Sequence, residues 1–282
     1  MIIFKDMEMM AIYQLPFRQA FLIFIMFSVV GWISEVLYVG IFHEHKFVNR
    51  GFLHGPLCPV YGFGGVVILL LPASLYTTWV PLFFSSMIMC TAVEYFVSWI
   101  MEKMFHARWW DYSHYKFNIK GRVCLLNSVL FGFMGLGVIH FVYPQMLRFL
   151  DWLGDFVIMV SSDMIGAALA VDLVATVRKL VDFSATMEKL KTFGESLRDH
   201  YGNETWFRSE SFEAMLASVK EHAESDKDKI SQSLLEKIER FQTARNKAAE
   251  SFMVHFPTMK SIQYKDELEH LKSRVKDRWL KR

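Results

Sequence analysis

Two acidic residues, Glu35 and Glu94, stand inside long apolar stretches and are the side chains best placed to do chemistry. A carboxylate withdrawn from water without a partner is costly, so each should face the interior of a helix bundle, meet a cation or hold a proton. Both lie on polar stripes at helical spacing: Ser28, Gly31 and Glu35 on one segment, and Cys90, Thr91, Glu94 and Ser98 on the other. Each carboxylate sits about two turns before the same end of its segment, so parallel segments bring the pair to one depth. A shared pocket of this kind suits a substrate, an ion or a proton, and two close carboxylates titrate as a coupled pair. The architectural alternative is that Arg50, Arg108 or Arg122 folds back to neutralise them. Intramembrane catalysis would need a nucleophile or metal beside the carboxylates, and Cys90 is the one weak candidate.

Two loops must position these groups. The first, Asn49 to Gly64, sets Gly51, Gly55, Gly62 and Gly64 among Pro56, Pro59 and Tyr61, and so specifies a backbone path rather than a simple connection. Asn49 and Arg50 at its start join the candidate substrate or ion site. The second reads Arg108-Trp109-Trp110-Asp111-Tyr112-Ser113 and then Asn118-Ile119-Lys120-Gly121-Arg122. It fits an interfacial anchor, a docking surface or the rim of a polar entrance, with Asn118 to Arg122 turning the chain into the next apolar segment.

Other polar residues carry less. His43, Glu44, His45, His54 and Cys58 make a weak metal pattern, and neither metal nor cofactor is expected. Asp163 and Asp172 are nine residues apart and fall on opposite faces of one helix, so they do not form one site. Ser162, Gly166 and Ala170 would let a second helix approach closely, and His140 reads as an interfacial histidine.

The elements follow from apolar length. Of 282 residues 53% are apolar, and only ten of the 31 Lys and Arg precede Arg178, so a lipid-soluble part is followed by a water-soluble one. The spacing predicts an all-α fold: a bundle of about five membrane spans in residues 1–177 (17–41, 57–76, 80–101, 123–143 and 153–177), then a charged amphipathic helical tail, 178–282. Trp79, Trp99, Trp109, Trp110 and Trp152 mark span ends. The first span begins too late and is too long for a cleaved signal peptide. Cations cluster after the first, third and fifth spans, which predicts an N-terminus outside and a tail on the cytoplasmic side. The tail carries helical stripes at Leu180, Met187, Leu190 and Leu197, then at Phe212 to Val219, Ile230 to Phe241 and Leu268 to Trp279. Its charges alternate in sign, which disfavours nucleic acid. Three scattered cysteines suggest no disulfide framework.

Taken in order, Gly31-Trp32-x-x-Glu35, the run from Asn49 to Gly62, Glu94-Tyr95, Trp109 to Ser113, and Asn118-x-x-Gly121-Arg122 resemble a bacterial integral-membrane family. It is the CmpB-like group, named for a conjectured role as type IV ABC-transporter permeases. The resemblance covers roughly residues 17 to 145 and matches more loosely beyond, although Phe256-Pro257-x-Met259 looks like a family feature too. It implies a transport component in contact with membrane lipids. No Gly-x-x-x-x-Gly-Lys-Ser/Thr phosphate cradle occurs, so a pump would need its ATPase on another chain. Five spans are few for a translocation path, which favours a homo-oligomer. The competing class is a non-transport membrane protein, either an enzyme on a lipid-linked substrate or a scaffold that binds a partner through the tail.

Overall fold

A computed structural model describes residues 12–39, 52–105, 107–210, 212–225, 236–240, 243 and 260–261. Asn49, Arg50 and Gly51 lie outside the described residues, as do His43 to His45 and the expected tail features at Ile230, Leu234, Phe256-Pro257 and Leu268 to Trp279. The chain forms two compact units, one of residues 1–103 with 109–176 and one of 104–108 with 177–282.

In the first unit, α1 (Phe17–Val39) starts behind Pro16, whose carbonyl accepts the Gln19 and Ala20 amides at 3.0 and 3.1 Å. Helix α2 (Pro59–Leu69) opens on a proline, where the missing amide leaves nothing unpaired. It is only 11 residues long. That is a rise of roughly 16 Å, about half of a hydrocarbon core. The second expected span, 57–76, is therefore not one continuous helix: Pro72 disfavours a helical residue before it, and the chain continues as turns and a single 3-10 turn, Ala73–Leu75. Helix α3 is Trp79–Phe105. A small hairpin, β2 (Asn118–Ile119) paired antiparallel to β3 (Val123–Cys124), leads into α4 (Leu125–Gly137). A π-helical turn, Val138–Val142, joins α4 to α5 (Tyr143–Tyr201).

The fourth and fifth expected spans thus run together. Among the described residues three stretches are long and apolar enough to cross a membrane, Phe17–Leu37, Trp79–Phe105 and Leu125–Tyr201. The last contains a break at Gly154 (φ 73°, ψ 159°), a backbone conformation that a side chain would strain.

Small residues set the packing. Helix α2 lies antiparallel against α1: a Cβ on Gly31 would overlap the Tyr61 ring, one on Gly62 the Ser28 hydroxyl and Phe24 ring, and one on Gly65 the Phe27 ring. The Cys58 amide donates to the Ser28 carbonyl at 3.0 Å and pins the preceding loop to α1. Tyr76 shares a buried cluster with Ile12, Leu22, Ile23 and Ile68. Helix α4 runs back along α3. Thr91 donates to Ser128 at 2.8 Å, Gly132 leaves room for Phe83 and Gly135 for Ser86, and His140 stacks on Trp79 at 4.8 Å. Asp163 on α5 pairs with Arg18 at 3.0 Å, while Asp172 lies against residues 54 and 55, so the two aspartates occupy separate places as their spacing requires. Ser162 is buried, a Cβ on Gly166 would lie 3.9 Å from the Phe21 ring and Ala170 is exposed, so the small-residue stripe is used over only part of its length.

In the second unit, α5 continues to Tyr201, where the Gly202 amide closes the last turn on the Arg198 carbonyl at 2.7 Å. Helix α6 (Phe212–Ser225) contributes Leu216 and Val219 to a small core with Leu197 and Ile238, and His222 stacks on Trp206 at 4.0 Å. Strands β1 (Ala107–Arg108) and β4 (Lys260–Ser261) pair antiparallel.

Candidate functional site

Each of the two carboxylates receives a phenol. Tyr61 on α2 donates its hydroxyl to Glu35 Oε1 at 2.8 Å, and Tyr112 of the 106–122 loop donates to Glu94 Oε1 at 3.1 Å. Glu94 is 8% exposed and its second oxygen, Oε2, has no hydrogen-bond partner among the described residues. Glu35, Tyr61 and Tyr112 are partly exposed. Burial, and then the adjoining Glu94 carboxylate, hold the Tyr112 phenol well above its ordinary range, with weaker contributions from Cys124 and Glu35. The phenol therefore stays protonated and donates. Each glutamate is thus held by its own tyrosine, Glu35 by Tyr61 and Glu94 by Tyr112.

The second loop is built to deliver Tyr112. Asn118 donates to the carbonyls of Tyr115 (2.8 Å) and Ser113 (3.3 Å) and accepts the Gly121 amide (2.9 Å). Gly121 returns its carbonyl to the Tyr112 amide at 2.8 Å. Trp110 Nε1 donates to the Arg122 carbonyl at 2.9 Å, and Asp111 accepts the Ser113 amide at 3.0 Å. Phe117, Lys120 and Gly121 all have positive φ (54°, 52° and 68°), so a tight path is enforced by these bonds. The two sequence motifs of this loop are one structural device.

Arg122 does not neutralise Glu35 or Glu94. Its guanidinium donates to Glu102 Oε2 at 2.8 Å and to the Tyr95 hydroxyl at 3.2 Å, and sits 5.3 Å from the Tyr95 ring centre. The motif residue Glu94-x-x-x-x-x-x-x-Glu102 spacing puts the second acid two turns further along α3, where an arginine entering from the loop reaches it first. Cys90 is buried with its thiol 3.8 Å from the Gly64 carbonyl, and Ser98 is buried one turn beyond Glu94. None of the three cysteines is in a disulfide.

Gly55 of the first loop has an unforeseen partner. Asp172 on α5 accepts the Gly55 amide at 2.7 Å, the His54 amide at 3.0 Å and the Thr176 hydroxyl at 3.1 Å, with His54 Nδ1 2.8 Å away. The sequence signal for this clamp was an acid inside an apolar segment, the same one that marks Glu35 and Glu94. Pro56 follows the clamp and Pro59 starts α2, so the loop's glycine and prolines fix the approach of Tyr61 to Glu35.

Apolar helices of spanning length, joined by a loop that caps a buried acid, define a mostly helical membrane protein. The chain belongs to the family described as "Putative ABC-transporter type IV", whose model matches residues 22–177 and so takes in Glu35, Tyr61, Glu94, Tyr112, Arg122 and Asp172. No curated protein and no solved structure matches it.

Proposed function

We propose that the protein is the membrane component of an ABC-type transporter whose nucleotide chemistry resides on a separate subunit, with Glu35 and Glu94 at the substrate or ion site. The observation that carries this reading is the buried Glu94 carboxylate on a long apolar helix, held on one oxygen by Tyr112 and unpaired on the other. A buried acid on a spanning helix is costly to keep, and such residues mark substrate, ion or proton pathways. The family membership supports a permease role. Arg50 and Asn49 complete the proposed mouth of the site, and two copies of the chain supply a translocation path that one copy is too small to enclose.

In the proposed topology residues 57–76 cross the membrane with a short helix and turns, and the run from Leu125 crosses twice, reversing at Gly154. That gives five passes, an outside N-terminus and an inside tail. Single cysteines at Glu44, Lys116 or Lys260 in a cysteine-free background are expected to resist a membrane-impermeant thiol reagent in intact cells, and cysteines at Pro81 or Gln145 to react. Labelling of the Lys260 position from outside would reverse the arrangement. The transporter reading itself is tested by purification in mild detergent: an ATPase subunit should copurify in fixed proportion.

A further inference from the structure

We propose that Asp172 on α5 is a positioning residue for Glu35: it latches the loop of residues 54–58, and through that loop it holds the Tyr61 hydroxyl on the Glu35 carboxylate. The proposal rests on the reading of Glu35 as part of a transport site and adds α5 as the element that governs access to it.

A continuous series of bonds joins the two acids. Asp172 Oδ2 accepts the Gly55 amide at 2.7 Å, and Oδ1 accepts the His54 amide at 3.0 Å and the Thr176 hydroxyl at 3.1 Å. A carboxylate that takes two amides and a hydroxyl has no proton to give, so His54 Nδ1, 2.8 Å from Oδ1, is a donor as well. The Gly55 carbonyl accepts the Leu57 amide at 2.8 Å, and the Cys58 amide donates to the Ser28 carbonyl on α1 at 3.0 Å. The Cys58 carbonyl then accepts the Tyr61 amide at 3.0 Å, and the Tyr61 hydroxyl reaches Glu35 Oε1 at 2.8 Å. Every group in the series lies in the first unit.

The segment between the latch and the phenol is stiff. Pro56 and Pro59 fix φ at two of its positions, and Tyr61 is wedged against Gly31, where a Cβ would overlap its ring. A shift at Gly55 is therefore carried to Tyr61 instead of being absorbed on the way. The latch itself is built to open: its bonds fall on a loop, and the His54 and Asp172 side chains are 29% and 17% exposed, so water replaces the lost partners at little net cost. Asp172 also stands in an apolar run of spanning length, where an acid is expensive and marks a functional place. Closed, the latch keeps Tyr61 on Glu35. Open, it frees Glu35 Oε1 for a substrate or ion.

The test follows the rate at which dicyclohexylcarbodiimide, an apolar reagent for carboxyl groups, modifies Glu35 in the full chain in detergent, read from peptide masses with Glu94 as the internal reference. Tyr61→Phe removes the hydroxyl from Oε1 and should raise the Glu35 rate about fivefold, the ratio held by one hydrogen bond of ordinary net strength. Asp172→Asn, which cannot accept at both positions, should raise it by a similar factor, and the double variant should go no further than the larger single effect. Gly55→Ala, whose Cβ would stand 3.2 Å from Asp172 Oδ2, should act in the same direction and carries the test if Asp172→Asn does not fold. The Glu94 rate should hold throughout. A Glu35 rate unmoved by the Asp172 or Gly55 variant, effects that multiply in the double variant, or a rise shared by Glu94 overturns the proposal. Glu35 reactivity that follows Asp172 in a protein that copurifies with no ATPase would leave the latch standing and sink the transporter reading, whereas an ATPase-bearing assembly whose Glu35 ignores Asp172 would sink the latch alone.

Discussion

Replacing Arg122 with alanine is expected to lower the stability of the membrane unit by about 3 to 5 kcal/mol, the cost of breaking one side of a buried ion pair. Arg122 is 7% exposed, and the Glu102 side chain that it meets at 2.8 Å is 23% exposed, so the low end of that range applies. The loss would leave Glu102 uncompensated and remove the donor to the Tyr95 hydroxyl at 3.2 Å. Arg122→Lys should fall between the two, because an ammonium is a point charge and cannot serve the carboxylate and the phenol as a planar fork does. In a double-mutant cycle on detergent melting, Glu102→Gln should relieve part of the Arg122→Ala penalty. Strict additivity would show that the pair contributes nothing as a pair.

The glycines of α2 provide the second large effect, with an internal control. Gly62→Ala and Gly65→Ala place a methyl into Ser28 with Phe24 and into Phe27, and Gly31→Ala places one into the Tyr61 ring from the other side. Overpacking of this kind costs about 1 to 3 kcal/mol. Gly64→Ala meets nothing within 4 Å and should be neutral or stabilising by up to about 1 kcal/mol, since alanine is the better helix former. Folded yield and melting temperature of the four variants check the ordering. Equal penalties at positions 62, 64 and 65 would mean that α2 does not present this face to α1. The consequence is functional as well as structural, since Gly31 and Tyr61 are in contact and Tyr61 carries the bond to Glu35.

The acids and loops of the site were legible because each is a local anomaly. A glutamate amid twenty apolar residues, or Trp-Trp-Asp-Tyr followed by a tight Asn-x-x-Gly turn, departs from what an apolar helix or a plain connection needs. Pairing was less legible. Tyr61 and Tyr112 stood in the motifs without a role, because a phenol is equally at home in a core, and only the fold shows that each hydroxyl reaches a different glutamate. Arg122 was matched with the wrong acids, since sequence distance says nothing about Glu102 lying nearer than Glu94. Asp172 was set aside as isolated from Asp163, correctly, yet its partners come from 117 and 118 residues away. Helix length failed at 57–76 and across 123–177, where hydropathy reports burial in lipid or protein alike and cannot place the breaks at Leu71-Pro72 and Gly154.

The central claim, a transporter subunit that works through a buried carboxylate, is tested most directly by nucleotide hydrolysis in the assembly purified through this chain and reconstituted in liposomes. The account predicts that an ATPase subunit is present, and that Glu94→Gln lowers hydrolysis about tenfold, equivalent to roughly 1.4 kcal/mol, while the assembly and its melting temperature persist. An assembly without ATPase, or one whose hydrolysis is indifferent to Glu94→Gln and Glu35→Gln alike, would contradict it.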